Sequence, residues 1–460
     1  MGILFGTDGI RGIAGEGLTA ETAYRLGIAV ADVLAPLVSR RPCVVIGRDT
    51  RISGDMLESA CSAGLCAAGC DVTSLGIVPT PAVAYLVRTL GADAGIMISA
   101  SHNPSEYNGI KVFGAEGFKL SDALEESVEN IILSDSFIKN SPAVKGGSIG
   151  RISRPDGAAD AYISHVSSIL AETKCRSANR RRVLFDLANG SACACAKKIF
   201  TPEHMFGYAA SFIADTPDGM NINDGCGSTK LDALASAVVR GGYDIGIAFD
   251  GDADRCLCVD EKGNIIDGDA IIAALALDMK RRGKLSGDTA VVTCLTNLGF
   301  HKLCKSSGIS VSVTAVGDRS VLERMLEGGY SIGGEQSGHI IMTDYATTGD
   351  GEVTASKVLS LLCENADRPA SQVFGEMVHM PQISKNVEVG HDKKNAVVED
   401  AGVCEALRAA AEKLDGCGRV LVRPSGTEAL VRIMLEGEDA AELERMAEDI
   451  AAAIKRALGE

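Results

Sequence analysis

Residues Gly95–Phe113 read GIMISASHNPSEYNGIKVF. The stretch opens as an apolar run of strand length, Gly95–Ile98, and breaks at once into Ser99-Ala100-Ser101-His102-Asn103-Pro104. An apolar run that gives way to small polar residues and an Asn-Pro pair reads as a buried strand opening into a loop. In open α/β sheets, loops at strand C-termini are where ligands bind. Ser101 stands in this loop with His102 beside it and Lys111 downstream in NGIK. A hydroxyl, an imidazole and an ammonium at one strand end suit a nucleophile with acid/base and phosphate-binding partners. A plain polar turn punctuated by Asn103-Pro104 explains this stretch, taken alone, equally well.

The same construction recurs. GADAGIMIS from Gly91, GYDIGIAFD from Gly242 and GYSIGGEQS from Gly329 align without gaps. Each has Gly, two residues, an apolar residue, Gly, and then a polar loop. Around them, strands such as Cys43–Gly47, Asp71–Leu75, Val183–Asp186, Ala290–Cys294 and Val311–Thr314 alternate with helical patterns such as Gly54–Ala68, Lys230–Arg240 and Asp269–Lys280. That alternation implies βαβ units and mostly parallel sheets. The Ser/Pro/Gly-rich stretch Ser141–Arg154 reads as a linker. From about Pro369 the pattern changes. Val420–Val422 and Val431–Leu435 alternate as antiparallel strands do, and an Ala/Glu-rich amphipathic helix closes the chain. The expected fold is therefore α/β: three related domains with mixed, mostly parallel sheets at 1–150, 151–257 and 258–367, and a smaller C-terminal α+β domain at 368–460.

At 460 residues the chain holds more than one ordinary core, since domains run to roughly 100–200 residues each. Aromatic residues make up 4 % and Trp is absent, which disfavours stacking platforms for bases. The net charge of −16 argues against nucleic acid and anionic membranes as partners. The 15 cysteines include no CxxC pair. They read as small buried hydrophobes in a reducing compartment, and a zinc site is not expected. MGILFGTDGIRG lacks the basic and long apolar segments of a secretory leader. No apolar run approaches the roughly 20 residues needed to span a bilayer. The expectation is a soluble, cytoplasmic protein.

The loops carry distinct chemistry. FDGDADRC places Asp250, Asp252 and Asp254 at alternate positions after an apolar strand. Three carboxylates that close repel one another unless a cation neutralises them, and all-oxygen ligation suits Mg²⁺. Arg255 adds a cation able to hold a phosphoryl oxygen. RPSGTE offers backbone N–H groups and hydroxyls around Arg423, Ser425, Gly426 and Thr427, with Arg432 on the next strand. This reads as a dianion cradle by charge-assisted hydrogen bonding, although no GxxxxGK[ST] loop is present and a plain turn explains the stretch, taken alone, equally well. Glu335, Ser337 and His339 in GGEQSGH suit sugar hydroxyls. Thr7 and Arg11 in the Gly-rich start, and Gly317, Asp318 and Arg319, are further active-site candidates. A serine, an oxygen-ligand metal site, a polyol loop and a phosphate cradle are the parts phosphoryl transfer needs.

Taken in order, SASHNP, DGDADR, GGEQSGH and RPSGTE resemble the serine, metal, sugar and phosphate loops of the α-D-phosphohexomutase superfamily, and the resemblance covers essentially the whole chain. FGTDGIRG, NINDGCGST at Asn221–Thr229 and Gln336 in GGEQSGH are most similar to its amino-sugar-phosphate members. Ala429 departs from the Pro usual there. The resemblance implies four domains around a central cleft and interconversion of glucosamine 6-phosphate and glucosamine 1-phosphate, towards UDP-N-acetylglucosamine and cell-wall precursors. It implies that Ser101 must be phosphorylated for activity and that the reaction passes through a bisphosphorylated sugar. Asp250, Asp252 and Asp254, with a phosphoserine oxygen of Ser101, would hold one Mg²⁺. His102, Lys111 and Arg255 would share proton transfer and charge stabilisation. Glu335, Ser337 and His339 would bind the sugar, and Arg423, Ser425, Gly426, Thr427 and Arg432 the non-reacting phosphate. A homodimer is expected. The rivals are a phosphomannomutase/phosphoglucomutase acting on other sugars, a Mg²⁺-dependent phosphatase with Asp250 as nucleophile, and a non-catalytic sugar-phosphate binder.

Overall fold

A computed structural model describes residues 4–6, 9–134, 144–171, 181–201, 207–390, 392–425 and 429–459. The chain divides into two compact units, Met1–Cys294 with Ile309–Glu376, and Leu295–Gly308 with Met377–Glu460.

The larger unit holds three sheets. The first contains β1 (Phe5–Gly6), β2 (Gly9–Ile13), β3 (Cys43–Arg48), β4 (Asp71–Ile77), β5 (Ala94–Ile98), β6 (Tyr107–Gly114) and β7 (Ile152–Ser153), in the order β1-β2-β6-β5-β3-β4-β7. The second contains β8 (Arg181–Asp186), β9 (Tyr208–Ile213), β10 (Ile245–Phe249), β11 (Cys256–Asp260) and β12 (Ile265–Ile266), in the order β12-β11-β10-β8-β9. The third contains β13 (Thr289–Thr293), β14 (Ser310–Thr314), β15 (Ile332–Gly334) and β16 (Ile340–Met342), in the order β14-β13-β15-β16.

One four-strand unit underlies all three. In β6-β5-β3-β4, β11-β10-β8-β9 and β16-β15-β13-β14, the last three strands are parallel and the first folds back antiparallel. The three aligned sequence segments are the strands β5, β10 and β15, each followed by the turn back to its antiparallel neighbour. The sequence repeat is thus a repeat of structure. β5 and β10 are buried along their whole length, as strands covered on both faces must be. Burying Ile96, Met97 and Ile98 stabilises the first sheet by about 1.5–3 kcal/mol per side chain.

The smaller unit holds β17 (Gln382–Glu388), β18 (Arg419–Pro424) and β19 (Leu430–Glu436), all antiparallel, in the order β17-β19-β18. The closing helix Ala440–Leu458 is capped by Asp439, whose carboxylate accepts from the Ala441 and Glu442 amides at 2.9 and 3.1 Å. Its buried Leu443, Met446, Ala447, Ile450 and Ile454 recur at helical spacing.

Two expectations shift. Part of the linker expected at Ser141–Arg154 is the edge strand β7, paired with β4, because the Val72 amide finds the Arg151 carbonyl at 2.8 Å. The first sheet therefore runs past 150. The division expected at 257 falls inside β11, which carries the second sheet on to β12. An antiparallel return strand, short and buried, looks in sequence like the start of the next domain.

Candidate active site

The parallel strands aim their C-terminal loops at one place, and three domains' loops meet there. Ser101 follows β5 and is buried. Its backbone is left-handed, with φ of 52°, a conformation that costs a non-glycine residue about 1 kcal/mol or more. Its Oγ donates to Asp250 Oδ2 at 2.6 Å and lies 3.3 Å from His102 Nδ1. Burial, and then the charges of Arg255 and Arg11, push the His102 imidazole down to about 4. His102 is therefore neutral at pH 7.

Asp250, Asp252 and Asp254 follow β10 in a buried turn, each offering an oxygen within 4.8 Å of the others. Burial and the charges of Asp254 and Asp252 push the Asp250 carboxyl well above the usual range. Burial acts the same way on Asp254, but Lys111, His339 and Arg255 overcome it and hold that group well below. From β6, Lys111 Nζ donates to Asp252 Oδ2 at 3.0 Å and to Asp254 Oδ2 at 3.5 Å. Thr80 Oγ1 donates to the same Asp252 Oδ2 at 2.6 Å. Asp252 Oδ1 and Asp254 Oδ1 are buried and have no hydrogen-bond partner among the described residues. Buried carboxylate oxygens without hydrogen bonds, beside a carboxyl that resists ionisation, suit a cation. The triad can hold a metal ion. The Arg255 amide donates to Asp250 Oδ1 at 3.2 Å, and its side chain lies in the field of the three aspartates and Glu335.

The third loop follows β15. Glu335 Oε1 accepts the Gly317 amide at 3.1 Å. Gln336 Nε2 donates to Asp267 Oδ2 at 3.0 Å, and Asp267 in turn caps the helix Gly268–Arg281. Ser337 Oγ is buried with no partner among the described residues. His339 Nε2 accepts the Gly349 amide at 3.1 Å, which puts the ring proton on Nδ1, 3.6 Å from Asp254 Oδ2. His339 thus faces the aspartate triad. Asp318 Oδ2 lies 3.8 Å from His339 Nε2 and takes Lys119 Nζ at 2.5 Å. Arg319 turns elsewhere, pairing with Asp122 and, at 2.9 Å, with Glu125. Arg11, on β2, lies opposite Gly109 of β6.

In the smaller unit Arg423 and Arg432 stand directly opposite each other on β18 and β19. Like charges so placed repel unless an anion joins them. Ser425 is buried, and its carbonyl accepts Lys394 Nζ at 2.5 Å. Thr7, Gly426 and Thr427 lie outside the described residues.

Sequence reading passed over Asp49, Arg51, Thr80, Ser99, Asn223 and Lys394. The signal for the first three was positional. RDTR follows β3 and PTP follows β4, so both occupy the sheet edge that presents Ser101.

Four profiles of one family match the chain: "Phosphoglucomutase/phosphomannomutase, alpha/beta/alpha domain I" over residues 2–139, domain II over 160–263, domain III over 267–380 and the C-terminal domain over 385–453. The chain belongs to the phosphoglucomutase/phosphomannomutase family, within the phosphohexomutase superfamily, and is an isomerase. It is 48 % identical over 458 residues to the phosphoglucosamine mutase of Caldicellulosiruptor bescii, covering 100 % of both chains. It is 49 % identical over 446 residues to that of Moorella thermoacetica, covering 97 % of this chain and 98 % of the other. Among solved structures, a phosphoglucomutase/phosphomannomutase family protein from Burkholderia thailandensis superposes with a TM-score of 0.80 at 24 % identity, covering 99 % of this chain and 97 % of that one. The N-acetylphosphoglucosamine mutase of Aspergillus fumigatus, solved with GlcNAc-6P and magnesium, gives 0.69 at 16 % identity, covering 99 % and 96 %. These two likenesses bear on the fold. No described helix is long and apolar enough to cross a membrane.

Proposed function

We propose that the chain interconverts glucosamine 6-phosphate and glucosamine 1-phosphate through a phosphoserine at Ser101 and a bisphosphorylated sugar, on the route to UDP-N-acetylglucosamine and cell-wall precursors. The observation that carries this reading is Ser101 Oγ, 2.6 Å from Asp250 inside a buried set of three carboxylates. Full-length relatives with that activity support the choice of sugar.

In the forward half-reaction the bond between phosphorus and Ser101 Oγ breaks and a bond to a sugar hydroxyl forms. The hydroxyl proton leaves to a base; after the bisphosphate reorients, its other sugar oxygen–phosphorus bond breaks, Oγ takes that phosphoryl group, and the base returns the proton to the released sugar oxygen. His102, neutral and 3.3 Å from Oγ, takes the proton in this reading, with Lys111 and Arg255 as the other candidates. Lys111, tied to Asp252 and Asp254, and Arg255 stabilise charge on the transferring group. Asp250, Asp252 and Asp254, with an oxygen of the phosphoserine, would hold one Mg²⁺, which neutralises phosphoryl charge when bound. Glu335, Ser337 and His339 serve the sugar side of the site. Arg423, Ser425, Gly426, Thr427 and Arg432 bind the phosphate that does not react. Gly317 supports Glu335 and Asp318 supports His339. Thr7 and Arg11 are further candidates for contact with the substrate, and Arg319 acts by tying the third sheet's domain to the helix Asp122–Leu133. The domains divide after the edge strand β7, after β12 and near 367, and the working form is a cytoplasmic homodimer.

The test is an isomerisation assay on glucosamine, glucose and mannose phosphates, with peptide mass spectrometry at Ser101. The expected result is preference for glucosamine phosphate, phosphate on Ser101 after incubation with a sugar bisphosphate, and loss of turnover in Ser101→Ala. Net phosphate release surviving Ser101→Ala would move the nucleophile to Asp250.

A further inference from the structure

Arg51 has a side chain with no solvent exposure, yet it touches none of the reacting groups. All of its donor directions are spent on one object. Nε donates to Asp49 Oδ2 at 2.9 Å. Nη2 donates to the carbonyls of Ser101 and Asn103 at 3.0 and 2.8 Å. Nη1 donates to the carbonyls of Tyr107, at 2.9 Å, and Pro104. Asp49 Oδ2 also accepts from Ser99 Oγ at 2.6 Å, and Ser99 Oγ accepts the Ser101 amide at 2.9 Å. Both backbone polar groups of Ser101 are therefore held by one closed ring, the N–H through Ser99 and Asp49 and the C=O by the guanidinium itself.

A second arm reaches the same atom from another domain. Asn223 Nδ2 donates to the Ser101 carbonyl at 2.9 Å and to the Asn103 carbonyl at 3.2 Å. The metal loop packs so closely on it that a Cβ at Gly251 would sit 2.5 Å from the Ser101 carbonyl oxygen. A left-handed serine persists only where its surroundings over-determine it, and here the surroundings are a planar fork with fixed donor directions.

We infer that Arg51, seconded by Asn223, is the positioning residue that sets where Ser101 Oγ stands relative to the aspartate triad and the bound sugar. The inference rests on the phosphoserine reading above. In both half-reactions Oγ is the attacking or the leaving atom. A displaced loop then slows the chemical step and leaves sugar-phosphate binding largely intact, because misplacing a reacting atom by about 1 Å costs about 100-fold in rate.

The experiment compares wild type, Ser101→Ala, Arg51→Lys and Asn223→Ala, each checked for folding by circular dichroism and melting. Lysine keeps the charge beside Asp49 and loses the fork. For Arg51→Lys the expected result is a kcat lower by about 100-fold, with KM for glucosamine 6-phosphate moved by less than about threefold. Single-turnover transfer from phosphorylated Ser101 slows in parallel. Asn223→Ala is expected to lower kcat by about 10-fold in the same manner. Amide hydrogen exchange of the peptide around 99–107 rises in both variants. If Arg51→Lys does not fold, Asn223→Ala decides. Wild-type kcat and wild-type exchange in the folded variants would overturn the inference, as would a rise in KM at unchanged kcat. If wild type does not isomerise the sugar, or Ser101→Ala still does, the phosphoserine reading falls instead, and the exchange data still report whether Arg51 holds the loop.

Discussion

The serine loop and the metal loop follow equivalent strands of two repeated sheets, yet they spend their hydrogen bonds in opposite ways. Around Ser101 the backbone is saturated. Its carbonyl takes Arg51 and Asn223, and its amide is held through Ser99. Around Asp252 and Asp254 one carboxylate oxygen of each is occupied by Lys111, and the other has no hydrogen-bond partner among the described residues, Asp254 Oδ1 having only Arg255 Nε at 3.9 Å. A group proposed as nucleophile must stand in one place, and the Ser101 loop is closed on protein groups. Carboxylates proposed to hold a metal must keep ligand oxygens in reserve, and Asp252 and Asp254 each keep one oxygen free of hydrogen bonds among the described residues.

That contrast can be broken, and the largest effect is expected at Ser101. Replacing it with alanine removes the proposed phosphoryl carrier, and with it one proposed metal ligand, and should lower isomerisation by about 10⁴-fold or more in a coupled assay. Residual turnover near wild type would mean that the serine loop is scaffold and the metal loop carries the chemistry.

Next comes Asp252→Asn. It should cost about 10³-fold in turnover and abolish the rise in melting temperature that Mg²⁺ gives wild type. A ligand at about 100 times its Kd adds about 2.7 kcal/mol to stability. Differential scanning fluorimetry with and without chelator checks this. A melting temperature insensitive to Mg²⁺ in wild type would mean that the orphaned oxygens do not await a cation.

Thr80→Val sharpens the comparison. Thr80 and Lys111 both occupy Asp252 Oδ2, which leaves Oδ1 to face the site. Without the hydroxyl the carboxylate is free to rotate, and Mg²⁺ affinity or activity should fall by about 10- to 100-fold, as read by titration calorimetry and by the Mg²⁺ dependence of rate.

The smallest effect is a pH dependence of stability. His102 is held down to about 4 in the fold from an ordinary 6.5. Between those values the unfolded chain takes a proton that the folded chain refuses. The stability His102 contributes is present above about pH 6.5 and is lost as the pH falls towards 4. His102→Asn should therefore lose less melting temperature than wild type on acidification, as measured by melting across that range.

The sequence by itself determined the local architecture. Apolar runs that end in Gly-flanked polar loops marked β5, β10 and β15, period-two alternation marked β18 and β19, and loop composition marked the serine, the triad, the sugar loop and the paired arginines. These are properties of a few adjacent residues, because strand burial and turn formation are decided within a few positions of the chain. Tertiary structure alone decided who meets whom. Ser101 meets Asp250 across 149 positions and Thr80 meets Asp252 across 172. His339 turns to Asp254, and Arg319 is drawn off to Asp122 and Glu125. Arg51, an ordinary arginine in RDTR, becomes a buried fork gathering four carbonyls. The partner of a charged or polar side chain is whichever opposite charge or open hydrogen-bond site the packed domains bring within reach. No spacing along the chain encodes that, so the chemical parts were legible before their assembly was.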